Sequence, residues 1–216
     1  MRNKQFIIIL IGFLSFFSTS CIDIVEELWI KDKNGGQAFF RIEANALGGL
    51  INFAGNYIDN EMFNKIVASP NFIAKNLSKI KGVSDIQAVN MLKSGTIGIK
   101  FKYKSTKALN RAYYSILNQK KRLYYPSIFK INANRFKKMD LTKYLRNYLT
   151  KNKDKFKSDE LLQLVNYKSI YHFEKEIEEI KNSAAIKFKS ENAVIQNCSA
   201  NDLLNTEINL GNIIKY

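Results

Sequence analysis

Thr96 to Lys104 reads TIGIKFKYK. Ile97, Ile99, Phe101 and Tyr103 alternate with Gly98, Lys100 and Lys102, the period-two pattern of a strand with one buried face and one wet face. Working outward, Ser94 and Gly95 form a turn into this strand, and Asp85 to Met91 reads as the strand before it. On the other side Ser105 is a helix N-cap, followed by an apolar stripe of Ala108, Leu109, Ala112, Tyr113, Ile116 and Leu117 that runs to about Lys120. Ile128 to Ile131 closes the unit as a further strand.

Upstream, Met62 to Ile80 has apolar residues near helical spacing. Pro70 pushes Ser69 out of the α region, which predicts two helices or a marked kink. Residues 44–57 are small and apolar and suit a short helix. Val25 to Ile30 and Gln37 to Glu43 flank Asn34, Gly35 and Gly36, whose run suits a tight hairpin. Ile24, Leu28 and Ile30 share one register, and Val25 and Trp29 the other. From Gln37 to Ile131 the order is β, α, β, β, α, β, the ferredoxin-like arrangement.

In the C-terminal half, Leu141 to Leu149 and Asp159 to Tyr167 read as helices around the lysine-rich Lys151 to Lys157. Ser169 to Ile180, Ala185 to Lys189, Ala193 to Cys198 and Glu207 to Tyr216 read as strands, and Asn201 to Leu204 as a turn of helix. The expected fold is therefore α+β with a mostly antiparallel sheet. Residues 21–216 form either one domain, or a ferredoxin-like unit over 21–135 whose sheet is continued by strands from 136–216.

The N-terminus carries a different kind of signal. Arg2 and Lys4 precede an apolar run from Phe6 to Phe17, followed by Ser18, Thr19, Ser20 and Cys21. The run is short for a bilayer span, which takes about 20 residues, and has the length of a signal-peptide h-region. This segment resembles bacterial lipoprotein signal peptides, with Ser20 and Cys21 matching the end of the lipobox and Ser18 standing where an aliphatic residue is usual. The resemblance implies removal of residues 1–20 and acylation (palmitate included) of Cys21. With Ile22 in place of the inner-membrane retention aspartate, it further implies an outer-membrane anchor facing the periplasm. Each buried acyl methylene contributes about 0.8 kcal/mol, so more than one chain gives stable anchoring. Without acylation, cleavage after Ser20 would leave Cys21 as a thiol able to pair with Cys198.

The mature chain's hairpin, Asn-Gly-Gly turn and strand–helix–strand order resemble small uncharacterised lipoproteins of Bacteroidota. In layout the chain is also similar to the mycobacterial LppM-type lipoprotein domain. These resemblances imply an envelope location and lipid or glycolipid contact.

The chain has 216 residues and a net charge of +15, and loss of residues 1–20 lowers this to +13. Lys120 to Lys157 contains 13 Lys or Arg against Asp140 and Asp154. Interleaved with aromatic residues, such a region in a cytosolic protein suggests nucleic acid; export sets that partner aside. Anionic lipid headgroups, lipopolysaccharide phosphates or acidic polymers are the partners that an exported basic surface meets. Lys120, Lys121, Arg122, Tyr124 and Tyr125 are the candidate binding cluster, with a solvated helix C-terminus as the alternative.

Nothing in the residue spacing selects a reaction. His172 is the only histidine, so a nucleophilic triad would have to use it, and its strand pattern beside Tyr171 and Phe173 reads as packing. Glu174, Glu176, Glu178 and Glu179 alternate as a solvated face does. No phosphate-binding glycine motif occurs, and no metal or cofactor site is expected. Three functional readings follow. The first is a non-enzymatic, membrane-tethered binding or structural module. The second is a lipid or glycolipid binder with an apolar pocket rimmed by basic residues. The third is an enzyme of unrecognised type, which needs convergent, perturbed side chains.

Overall fold

Strand β1 (Ile22–Ile30) turns back into β2 (Gly36–Ala44) as an antiparallel hairpin, with Val25 opposite Arg41 and Trp29 opposite Gln37. Lys31 N–H donates to the Gly35 carbonyl at 3.0 Å and closes it. A Cβ on Gly36 would lie 1.9 Å from the Trp29 carbonyl oxygen, so the strands approach as closely as only glycine permits. The chain is seen here in a computed structural model that describes residues 22–31, 35–44, 60–118, 126–151 and 164–216. The helix read over residues 44–57 lies almost wholly outside them.

Helix α1 (Asn60–Leu77) leads to β3 (Val83–Met91), β4 (Thr96–Tyr103) and α2 (Thr106–Ile116). β4 follows the expected alternation, with Ile97, Ile99, Phe101 and Tyr103 buried. Ser105 caps α2 as expected, its hydroxyl accepting from Ala108 N at 3.2 Å. Pro70, by contrast, neither divides α1 nor ends it. A proline there leaves the Ile66 carbonyl without its helical donor, and the Ser69 hydroxyl donates to that carbonyl at 2.7 Å. Asn90 in β3 donates to the next carbonyl, that of Val67, at 3.2 Å.

Beyond α2 come β5 (Phe129–Asn132), β6 (Arg135–Lys138), α3 (Thr142–Lys151), β7 (Val165–Phe173), β8 (Glu179–Ile180), β9 (Ala185–Phe188), β10 (Ala193–Ser199), α4 (Ala200–Asn205) and β11 (Asn212–Lys215). Val165 to Tyr167 is therefore strand rather than the end of a helix. These residues pair with Ile22 to Ile24 along β1. Ser169 to Ile180 is not one strand, because β7 stops at Phe173 and β8 pairs elsewhere.

The large sheet has the order β3-β4-β2-β1-β7-β10-β9, and a smaller one the order β5-β6-β11-β8. Among the described residues, all pairings are antiparallel except β1 with β7. The protein is α+β with a mostly antiparallel sheet, as expected. Within it, β2, β3 and β4 take ferredoxin-like positions, but the place beside β2 belongs to β1, and β5 joins the second sheet. A hairpin partner is separated from β2 by a few residues and β5 by more than eighty, so the local pairing has the lower closure cost.

One face of the large sheet carries the core. Leu28, Ala38, Ile99, Phe101, Tyr171, Phe173 and Val194 pack there with α1, α2 and the apolar side of the second sheet, through Leu77, Leu109, Tyr113, Phe129, Phe136 and Ile214. α3 and α4 close the same face around Cys198, Leu203 and Leu210.

Candidate functional site

The tandem glutamates of β1 point to opposite faces of the sheet and build two charged centres. Glu26 shares the inner register with Leu28 and is only 2 % exposed. Lys138, the last residue of β6, reaches it from the second sheet, with Nζ 3.0 Å from Glu26 Oε1. Tyr171 donates to Oε1 at 2.7 Å and Tyr167 to Oε2 at 3.0 Å. Lys138 also donates to the Tyr167 hydroxyl and lies over its ring, 4.7 Å from the centroid. Burial, reinforced by the Glu26 charge, pushes the Tyr113, Tyr167 and Tyr171 phenols well above their ordinary range, so they remain donors. In register beside Glu26, buried Ser169 and Gln196 extend a polar row across β7 and β10. A paired ammonium and carboxylate with phenol donors meets the conditions for carrying charges in a protein interior. Sealed at this exposure, the centre holds sheets together and is closed to a substrate.

Glu27 points to the other face, where no described helix packs. His172 Nε2 lies 2.8 Å from Glu27 Oε1, and Arg41 bridges Glu27 and Glu43. Partial burial opposes ionisation of Glu27, but the hydrogen bonds from His172 and Arg41 outweigh it and hold its carboxyl below the usual range. Trp29 stacks on His172 with ring centroids 5.0 Å apart, and Arg41 sits 4.6 Å from the Phe39 ring centroid. Lys100 lies over Trp29 at 5.6 Å. Register accounts for these meetings: Trp29 is opposite His172, while Phe39 is opposite both Glu27 and Lys100. Toward the sheet edge this face turns apolar, with Ile186 70 % and Phe188 45 % exposed on β9.

Of the residues singled out in the sequence, His172 takes part in the Glu27 centre. Cys21, Lys120, Lys121, Arg122, Tyr124 and Tyr125 all lie outside the described residues. His172, read from the sequence as a packed or surface residue, is partly buried, stacked on Trp29 and bonded to Glu27. Cys198 is buried, its thiol pushed up to about 11 chiefly by that burial. Of the four glutamates, Glu179 pairs with Lys215. Among the described residues no group of three or more His, Cys, Asp or Glu converges as metal ligands would. An open depression is lined by Glu174, Glu176, Lys187 and Asn192, and another by Pro126, Ser127, Lys130, Lys137 and Met139. Sequence reasoning missed both centres. Glu26 left a signal, an acid on the apolar register between Ile24 and Leu28. Lys138 left none, because β6 was not legible as a strand.

No protein-family model and no curated protein matches the chain. Among solved structures it is similar to the NMR structure of the folded domain of Mycobacterium tuberculosis LppM. That match has 9 % identity and a TM-score of 0.38, over 92 % of this chain and 91 % of that one. The likeness is a loose one of layout. Among the described residues no helix is long and apolar enough to cross a membrane.

Proposed function

We propose that this chain is a lipid-anchored envelope protein that acts as a binding or structural module and not as an enzyme. The observation that carries the reading joins sequence to fold. Strand β1 starts at Ile22, directly after the cysteine that ends the signal-like segment, and it occupies the middle of the large sheet. An acyl group on Cys21 would therefore attach to the body of the fold without a stalk. The outer membrane, with the fold facing the periplasm, is the location that Ile22 in place of aspartate favours. The basic segment with Lys120, Lys121, Arg122, Tyr124 and Tyr125 supplies the contact to anionic headgroups or lipopolysaccharide phosphates.

The test is Cys21→Ser in cells fed a labelled fatty acid. The parent protein should carry label and sediment with membranes, and the variant should lose both. An unlabelled parent, or a variant that still sediments, overturns the anchor. For the basic segment, the unacylated chain should bind acidic vesicles and not neutral ones, with binding falling as rising salt shortens the screening length below about 8 Å. Equal binding to both vesicle types would remove the headgroup contact.

A further inference from the structure

We infer that the Ile22 end of the large sheet rests on the phospholipid bilayer through Met91, Leu92 and Lys93, with the strands standing away from the surface. This rests on acylation of Cys21 and adds which surface faces the membrane.

The geometry starts from the tether. Adjacent Cα atoms are about 3.8 Å apart, so an acylated Cys21 holds Ile22 at the headgroup boundary. Ile22 itself has no play: it is 6 % exposed and paired to Ala44 on one side and Val165 on the other. Whatever shares the end of the sheet with Ile22 is therefore brought to the same boundary. Among the described residues that neighbour is the β3–β4 turn. The Ala44 N–H donates to the Gly95 carbonyl at 2.9 Å, and Leu92 packs against Ile22, Ala44 and Ile97. β4 lies two strands from β1, which is about 10 Å.

The chemistry of this end suits a bilayer. Met91 is 53 % exposed, Leu92 is half-buried with its apolar side chain beside it, and Lys93 is exposed. An apolar tip flanked by a lysine can place carbon among acyl chains and its ammonium among phosphates. The carboxylates nearby are already engaged: Asp23 accepts from Asn166 at 3.1 Å, and Glu43 accepts from Arg41. At the opposite end, Lys31 follows the last residue of β1, about 30 Å from Ile22 at an ordinary strand rise. Trp29 stands about 23 Å along the same strand, on the Glu27 face. End-on docking keeps both away from lipid; a sheet lying on its Glu27 face would bring Trp29 down to it.

The test uses the full-length chain, expressed with its signal and purified in acylated form. It is reconstituted in vesicles of three parts phosphatidylethanolamine to one part phosphatidylglycerol, containing a headgroup-nitroxide lipid. Met91→Cys and Lys31→Cys are labelled with a small fluorophore, Cys198 being buried and Cys21 blocked by its thioether. Lys93→Cys replaces Met91→Cys if the latter does not fold. The probe at 91 or 93 should lose most of its emission to the quencher, while the probe at 31 and native Trp29 keep theirs. Equal quenching at both ends, or quenching of Trp29 above that at 91, overturns the docking while leaving the anchor standing. Intact-mass measurement on the same preparation separates the cases, since a Cys21 without acyl groups overturns the anchor and the docking together.

Discussion

Lys138→Met tests the interior directly. In the folded protein the Lys138 side chain is 1 % exposed and that of Glu26 3 % exposed, with 3.0 Å between Nζ and Oε1. Methionine matches the lysine stem but leaves Glu26 with phenol donors and no cation. Breaking a buried pair by removing one partner costs about 3–5 kcal/mol, whereas replacing both by apolar groups is often neutral. With a urea dependence of about 2 kcal/mol per molar, a loss of about 4 kcal/mol lowers the midpoint by about 2 M. The single tryptophan, Trp29, reports the transition without further engineering. Glu26→Leu with Lys138→Met should recover most of the loss, because both charges then leave together. A single substitution costing under about 1 kcal/mol, or a double variant as unstable as the two single losses added, would refute the pairing as described.

Three other substitutions probe separate parts of the fold. Glu27→Gln should cost about 1–2 kcal/mol at neutral pH through weakened charge-assisted bonds to Arg41 and His172. Because the folded pKa of Glu27 is lowered from 4.5, its contribution is complete above the unfolded value and is lost as pH falls through the folded one. Urea midpoints of parent and variant should therefore converge in acid, and a constant gap down to pH 2 would count against the assignment. Gly98→Ala places a Cβ 2.5 Å from the Phe40 carbonyl oxygen and 2.6 Å from Arg41 Cβ, so a loss of about 1–3 kcal/mol is expected in thermal unfolding. Ser199→Ala removes a capping box in which the hydroxyl accepts from Asp202 N at 2.9 Å. It should cost about 1 kcal/mol and speed thiol labelling of Cys198, over which α4 packs; an unchanged labelling rate would show that the cap does not govern that opening.

What could be read from the chain follows the range of the forces involved. β4 and α2 were legible because alternation, the Ser105 cap and the apolar stripe are local and agree with one another. The choice of neighbour for β2 was not, since β1 and the strand near Ile131 are both apolar and only three-dimensional pairing separates them. β6 was invisible for a different reason. Its four residues are Arg135, Phe136, Lys137 and Lys138, and the inward-facing position 138 holds a lysine whose partner lies more than a hundred residues away. Pro70 misled because the rescue of the Ile66 carbonyl by Ser69 is a side-chain event that a backbone rule does not contain. The candidate cluster near Lys120 rested on composition alone, which identifies a charge but not its place in a fold.

The two glutamates also bear on why β1 takes one register. It forms the parallel pair of the large sheet with β7, and a slip by one residue would exchange the faces of every side chain along it. Glu26 would then turn to the face that Arg41 and His172 share, and Glu27 to the apolar core opposite the second sheet. Each acid has a cation of its own on the correct side, Lys138 within and Arg41 without. A slip that seats Glu27 in the place of Glu26 displaces the Glu27 bridge to Arg41, and one that seats Glu26 in the place of Glu27 takes the carboxylate from Lys138, so either slip disturbs at least one pair. An apolar β1 would pack as well in either of two neighbouring registers; a charged one does not. The direction of β1 sets Ile22, and hence the residue before it, at the end of the sheet beside Gly95 and Leu92, and the charged pairs fix its register within that arrangement.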